Sequence, residues 1–304
     1  TRSLIVTGVQ TCALPICNSY HLDNNLALDR GIIGLNSLDI TTSGNITNNN
    51  GTIFSVGGLT SHSANLTSSG LIESSDLIDI HAANFYNSGN ITASSTLTVN
   101  ASDLTNTSDG VINSGENIDL TASQIHNNGE ISSSLDITLT ATGGTIANDN
   151  GNLSGNNISV TSAGSFSNIG GLISANGTLN ITALSIDNSN SFALDNHGLL
   201  IKGILANNTL SLNSTNGDII NTGGAIYSTG NINLTAAGNV TNNSLIQSHQ
   251  IITIVARSLN NSSSSLRGIL ALGDINIQGN DNITLGNVDN SSGTINAGGN
   301  LTIT

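Results

Sequence analysis

The amino-acid sequence predicts an all-β fold, a right-handed parallel β-helix (solenoid) with about twenty residues and three short strands per coil. Three observations carry that expectation. An apolar-x-apolar pair recurs at a nearly constant interval, an apolar-x-Asn pair follows each occurrence, and a third apolar position comes next, usually behind a glycine.

The first strand of each coil is the anchor pair. It reads Leu38-x-Ile40, Ile78-x-Ile80, Leu97-x-Val99, Ile118-x-Leu120, Ile137-x-Leu139, Ile158-x-Val160 and Leu179-x-Ile181, in steps from Ile78 of 19, 21, 19, 21 and 21 residues. After an interruption it returns as Leu210-x-Leu212, Ile232-x-Leu234, Ile252-x-Ile254, Ile275-x-Ile277 and Leu301-x-Ile303. Period-two alternation sends one side chain inward and the next outward, which is strand geometry.

The second strand carries Ile46/Asn48, Leu104/Asn106, Ile125/Asn127, Ile146/Asn148, Phe166/Asn168, Ile186/Asn188, Ile219/Asn221, Val240/Asn242 and Val288/Asn290, with Leu66/Ser68 in one gap. Stacked coil on coil, these Asn side chains are expected to form a structural ladder, bonding to one another and to backbone groups that the bend would otherwise orphan. A row of calcium sites would need acidic side chains there and a Gly-Gly-x-Gly-x-Asp nonapeptide, and the sequence has neither.

The third strand follows a glycine, as in Gly89 with Ile91, Gly129 with Ile131, Gly151 with Leu153 and Gly224 with Ile226. Asn and Gly adopt left-handed backbone conformations at low cost, so they supply the corners. The anchor pairs, together with Ile91, Ile131, Ile226 and Ile246, form the predicted core. One coil cannot bury its own apolar face, so only stacking closes that core. At about 4.8 Å per coil, roughly twelve or thirteen coils would extend on the order of 60 Å.

Composition agrees with small, regular coils. Of 304 residues, 8% are charged and 2% aromatic, with no Trp or Met, so a bulky irregular core is not expected. The hydrophobic content of 37% and mean hydropathy of +0.08 are too high for a disordered chain. A net charge of −14 with only five Lys plus Arg argues against nucleic acid or anionic lipid as a partner. No run approaches the roughly 18 to 20 apolar residues of a spanning helix, so no membrane insertion is expected.

Val6 to Ile16 reads VTGVQTCALPI, which resembles the translation of a widely used sequencing adapter rather than any fold element. Residues 1–17 are therefore set aside as not native, and 18–304 are read as a single β-helix repeat domain. The set-aside stretch holds Pro15, Cys12 and Cys17, and two cysteines make neither a disulfide framework nor a metal site. With no initiator Met, the sequence is expected to be an internal piece of a longer reading frame.

The alternation in NIDLTASQIHNNGEISSS and NISVTSAGSFSNIGGLISANG resembles the haemagglutinin repeats of filamentous-haemagglutinin-like exoproteins, from about residue 32 to residue 304. The resemblance implies a large protein secreted to the surface of a Gram-negative bacterium through an outer-membrane two-partner secretion transporter. An N-terminal domain not recognisable in this stretch would engage that transporter. The family includes adhesins, whose partners would be host or neighbouring-cell surface glycans or receptors. It also includes contact-dependent growth-inhibition exoproteins, whose toxic part is C-terminal. The expected role is a non-catalytic structural stalk or adhesive repeat segment without a cofactor, with the stalk of a contact-dependent toxin as the alternative.

No catalytic, cofactor or metal-binding residues are predicted. His21, His62, His81, His126, His197 and His249 are scattered, without the spacing of a metal site. A β-helix polysaccharide-degrading enzyme would need paired carboxylates in a groove. Asp76 with Asp79, or Asp187 with Asp195, could approach one another, but basic and aromatic residues to grip a sugar are nearly absent. An ice-binding face would need an outward Thr-x-Thr ladder, of which Thr302 and Thr304 form one pair. Two breaks interrupt the period: SNSFALDNHGLLIKG between Asn188 and Ile204, and a second around Gln278 to Asn282. Insertions in a solenoid become surface loops, so Phe192, His197 and Lys202 form the candidate binding loop.

Overall fold

A computed structural model of the chain describes residues 31–262, 267–280 and 285–304 with their side chains, and in the first 30 residues only the backbone of the strands Leu4–Ile5, Gln10–Cys12 and Ile16–Asn24. Pro15 and the side chains of Cys12, Cys17 and His21 lie outside the described residues, and so do residues 281–284 of the second break. All described secondary structure is strand. The fold is a parallel β-solenoid of about 12 turns with about 21 residues per coil. Two compact units divide it, Thr1–Gly143 and Gly144–Thr304.

In the first unit the anchors are register partners in parallel strands, Leu38 with Leu59, Leu59 with Ile78, Ile78 with Leu97, Leu97 with Ile118 and Ile118 with Ile137. A second column on the third strands runs Ile32, Ile53, Ile72, Ile91, Ile112 and Ile131. All of these side chains are buried, so each coil covers the apolar face of the one before it. The Leu59 coil has no apolar pair, because Ser61 stands where its neighbours carry Ile40 and Ile80. Its hydroxyl is buried, with no hydrogen-bond partner among the described residues.

The first two strands of a coil merge in part of this unit. Leu38–Asn48, Leu59–Ser68, Ile78–Asn87 and Leu97–Asn106 each run through the bend, whereas Ile118–Ala122 and Gln124–Asn127 are separate. The bend of the merged strands at Ala82 and Ala101 keeps its ladder register, so the chain turns without losing its pairing.

In the second unit the same two columns recur. Ile158, Leu179, Leu210, Ile232, Ile252 and Ile275 are partners in series, as are Leu153, Ile173, Ile204, Ile226, Ile246 and Ile269. These too are buried. The last anchor differs: Leu301 and Ile303 are each 48% exposed. Corners in this unit use positive φ at equivalent positions, Asn150 at 58°, Gly170 at 67°, Asn190 at 55° and Gly223 at 65°. Asn and Gly are the residues that accept this conformation with least strain. Backbone bonds from Asn150 N to Ile169 O, Gly170 N to Ser189 O and Asn190 N to Thr222 O join one corner to the next.

Candidate functional site

Two polar features stand out from the repeat, a buried Asn ladder and a surface hairpin in the second unit. The ladder forms because the apolar-x-Asn pair lies on one strand face: when the apolar residue points into the core, the Asn two positions on does so too. In the first unit Asn48 Nδ2 donates to Ser68 Oγ at 3.1 Å, Asn87 Nδ2 to Asn106 Oδ1 at 2.9 Å, and Asn106 Nδ2 to Asn127 Oδ1 at 2.8 Å. In the second unit the series runs from Asn148 to Asn168, Asn188, Asn221 and Asn242, each link 2.8 to 2.9 Å, and then to Asn261 at 2.7 Å and Asn290 at 2.6 Å. The Asn side chains in these links are buried, except Asn290, which is exposed.

The amides that donate in these links also reach backbone carbonyls. Asn106 Nδ2 lies 3.2 Å from Gly110 O in its own coil and 3.1 Å from Glu130 O, and Asn188 Nδ2 lies 2.9 Å from Ala225 O. One side chain thus satisfies a turn carbonyl and the neighbouring Asn together, which only a group with donor and acceptor at this reach can do. Asn87 and Asn261 belong to the ladder although the sequence reading passed over them. Their signal was present, since Phe85-x-Asn87 and Leu259-x-Asn261 carry the same apolar-x-Asn pair.

The insertion after Asn188 folds as an antiparallel hairpin, Ala193–Leu194 pairing with Leu200–Ala206 through Ala193 with Lys202 and Leu194 with Leu200. Asp195 closes its loop, its Oδ1 accepting from His197 N at 2.8 Å and Leu199 N at 2.9 Å. These two backbone N–H groups, Leu199 first, hold the Asp195 carboxyl below its ordinary value of 3.8. His197 Nδ1 lies 3.6 Å from Asp195 Oδ2 on a side chain that is 84% exposed. Phe192 is half-buried, and the Arg267 guanidinium sits 3.8 Å over its ring.

Beside the hairpin lies a groove of about 530 Å³ whose wall includes Phe192, Leu194, Leu199, Leu205, Tyr227 and Arg267. Of the candidate loop residues, Phe192 lines it, while His197 and Lys202 lie on the hairpin outside the lining. Leu205 lies on the hairpin's own strand Leu200–Ala206, whereas Tyr227 and Arg267 come from later coils. Sequence spacing gave no reason to group them with Phe192, because stacking alone brings them together.

Asp187, Asp79, His62 and His81 are engaged locally. Asp187 Oδ1 accepts from Ser189 N at 2.9 Å and from Ser189 Oγ at 2.5 Å, so Asp187 and Asp195 each serve their own turn. His81 Nε2 lies 3.2 Å from Asp79 Oδ2, and its ring stacks on His62 with centroids 4.6 Å apart. Among the described residues no group of three His, Cys, Asp or Glu side chains could hold a metal ion.

Short strands stacked in parallel register around aliphatic columns, with inward polar positions tied to one another, define a solenoid repeat protein. The chain belongs to the haemagglutinin repeat family, whose model matches residues 19–78, 74–144, 139–170, 167–217, 201–271 and 254–304. That family is structural and of adhesin type, its members being in general exoproteins of two-partner secretion and typically secreted surface adhesins. No curated protein and no solved structure matches the chain.

Proposed function

We propose that this stretch is a non-catalytic stalk or adhesive repeat segment of an exoprotein carried across the outer membrane by a two-partner secretion transporter and displayed on a Gram-negative cell. The observation that carries this reading is the use made of the inward polar residues. In the links of both units the Asn amides, which would otherwise be the groups available for chemistry, bind other Asn or Ser side chains and turn carbonyls. Such a scaffold would act by presenting many weak contacts along its length, so avidity rather than single-site affinity would govern adhesion. The structural Asn ladder is the holding element in this reading, and the Phe192, His197 and Lys202 hairpin is where the surface departs from repetition. The same scaffold would serve a contact-dependent growth-inhibition exoprotein, whose toxic activity would reside outside the repeats.

The test is a panel of polysaccharide-degradation assays run alongside binding to immobilised cell-surface glycans. The expected result is no turnover, with weak binding by the isolated chain that strengthens when many copies share one bead. Turnover of any polysaccharide that is lost on Asp187→Asn or Asp195→Asn would replace the scaffold with a β-helix enzyme.

A further inference from the structure

We propose that the groove beside the hairpin binds a small amphipathic anion, a molecule with an aliphatic body and one carboxylate, phosphate or sulfate group. The groove's volume of about 530 Å³ is that of a small-molecule site. Its apolar wall departs from the repeat. On the outward face of the third strands, register places Ser174 beside Leu205 and Tyr227 beside Gln247, so Leu205 and Tyr227 stand where neighbouring coils carry polar residues. The hairpin adds Leu194 at 48% exposure and Leu199 at 65%. Large apolar side chains gathered around a concavity, rather than scattered, mark a surface that buries them against something.

Charge identifies the other end of the ligand. The chain carries 19 acids against five Lys plus Arg, yet the groove lining includes Arg267 and, among the described residues, no acid. Among the described residues no carboxylate pairs with Arg267, whose guanidinium rests on the Phe192 ring. Stacking on an aromatic face holds the cation over apolar surface and leaves its edge N–H groups free to bind an anion. Ser174, Asn207 and Gln247 also line the groove, but Leu194, Leu199, Leu200, Leu205 and Leu245 make most of its wall aliphatic, which favours an aliphatic body over a sugar. The inference goes beyond the scaffold role, and its failure would leave that role standing.

The test is calorimetric titration of the full chain with sodium dodecanoate, dodecyl phosphate and dodecanol, each below its aggregation concentration. Arg267→Gln and Leu199→Ser are compared with the unaltered protein, and circular dichroism verifies that both variants fold. The expected result is saturable single-site binding of at least one anionic amphiphile, the stronger of the two naming the head group. Arg267→Gln should weaken that binding roughly tenfold, the worth of one hydrogen bond to a charged group, and leave dodecanol unaffected. Leu199→Ser should weaken both. Absence of saturable binding by either anion, dodecanol bound as tightly as the anions, or indifference to both substitutions would each overturn the proposal.

Discussion

Asn168 shows what a single side chain does in this fold. It accepts from Asn148 and donates to Asn188 and to Gly203 O, all out of contact with water. Asn168→Ala removes its bonds to Asn148, Asn188 and Gly203 O, at about 0.5 to 1.5 kcal/mol each, while Asn148 keeps its bonds to Gly151 O and Leu172 O and Asn188 keeps that from Ser191 Oγ. Asn168→Asp should be worse than alanine, because it buries a charge and turns an oxygen toward the Asn188 carbonyl oxygen. Equal denaturation midpoints for the two variants would contradict the ladder geometry. Ser61 is the converse case, a buried hydroxyl with no hydrogen-bond partner among the described residues, between Ile40 and Ile80. Ser61→Val should raise stability by about 1 kcal/mol, read as a higher thermal midpoint, and a lower one would show that the site has no room. Asp195 gives a pH dependence of known sign. Its folded pKa is lowered from 3.8, so the support it gives the loop is present above that value and lost as pH falls through the lowered one. Protection of the His197 and Leu199 amides, relative to their intrinsic exchange rates, should therefore fall on acidification below the ordinary carboxylate range, and in Asp195→Ala it should be low at every pH.

For the strands, register decides everything, since each anchor meets the equivalent anchor of the next coil. Ile137 faces Ile118 across such a pair and is 1% exposed. Ile137→Asp should lower stability by several kcal/mol in thermal unfolding, the penalty for a charge in an apolar stack, whereas the outward neighbour variant Thr138→Asn, beside Asp119, should be nearly silent. A silent Ile137→Asp would sink the packing scheme. Strand positions were legible in the sequence because stacking converts a repeat of about 21 residues directly into neighbouring side chains. The Leu59 coil was not, because Ser61 removes half of its anchor. The merging of two strands in four early coils was not legible either, since apolar periodicity marks where side chains point inward and says nothing of whether the ladder survives a bend. The hairpin was visible as an insertion, but its groove was not: Tyr227 and Arg267 reach Phe192 only through stacking on later coils.

Across the whole molecule, stability should be a sum of coil and neighbour terms, because a solenoid coil contacts mainly the coils before and after it. The scarcity of Lys and Arg and the net charge of −14 leave the outward positions to Asn, Ser, Thr and Asp, a surface suited to hydration and to weak, repeated contacts. The Asn residues fall into two physical classes, one holding the coils from inside and one facing water. Asn45, Asn65 and Asn84 form an outward ladder, Asn65 Nδ2 donating to Asn45 Oδ1 at 2.7 Å and Asn84 Nδ2 to Asn65 Oδ1 at 2.5 Å, so both classes are hydrogen-bonded and only burial separates them. The most direct measurement is hydrogen exchange of the assigned Asn side-chain amides by NMR. The account predicts strong protection at Asn87, Asn106, Asn168, Asn188, Asn221 and Asn242, with rapid exchange at Asn45, Asn65 and Asn84. Similar rates in the two groups would contradict it.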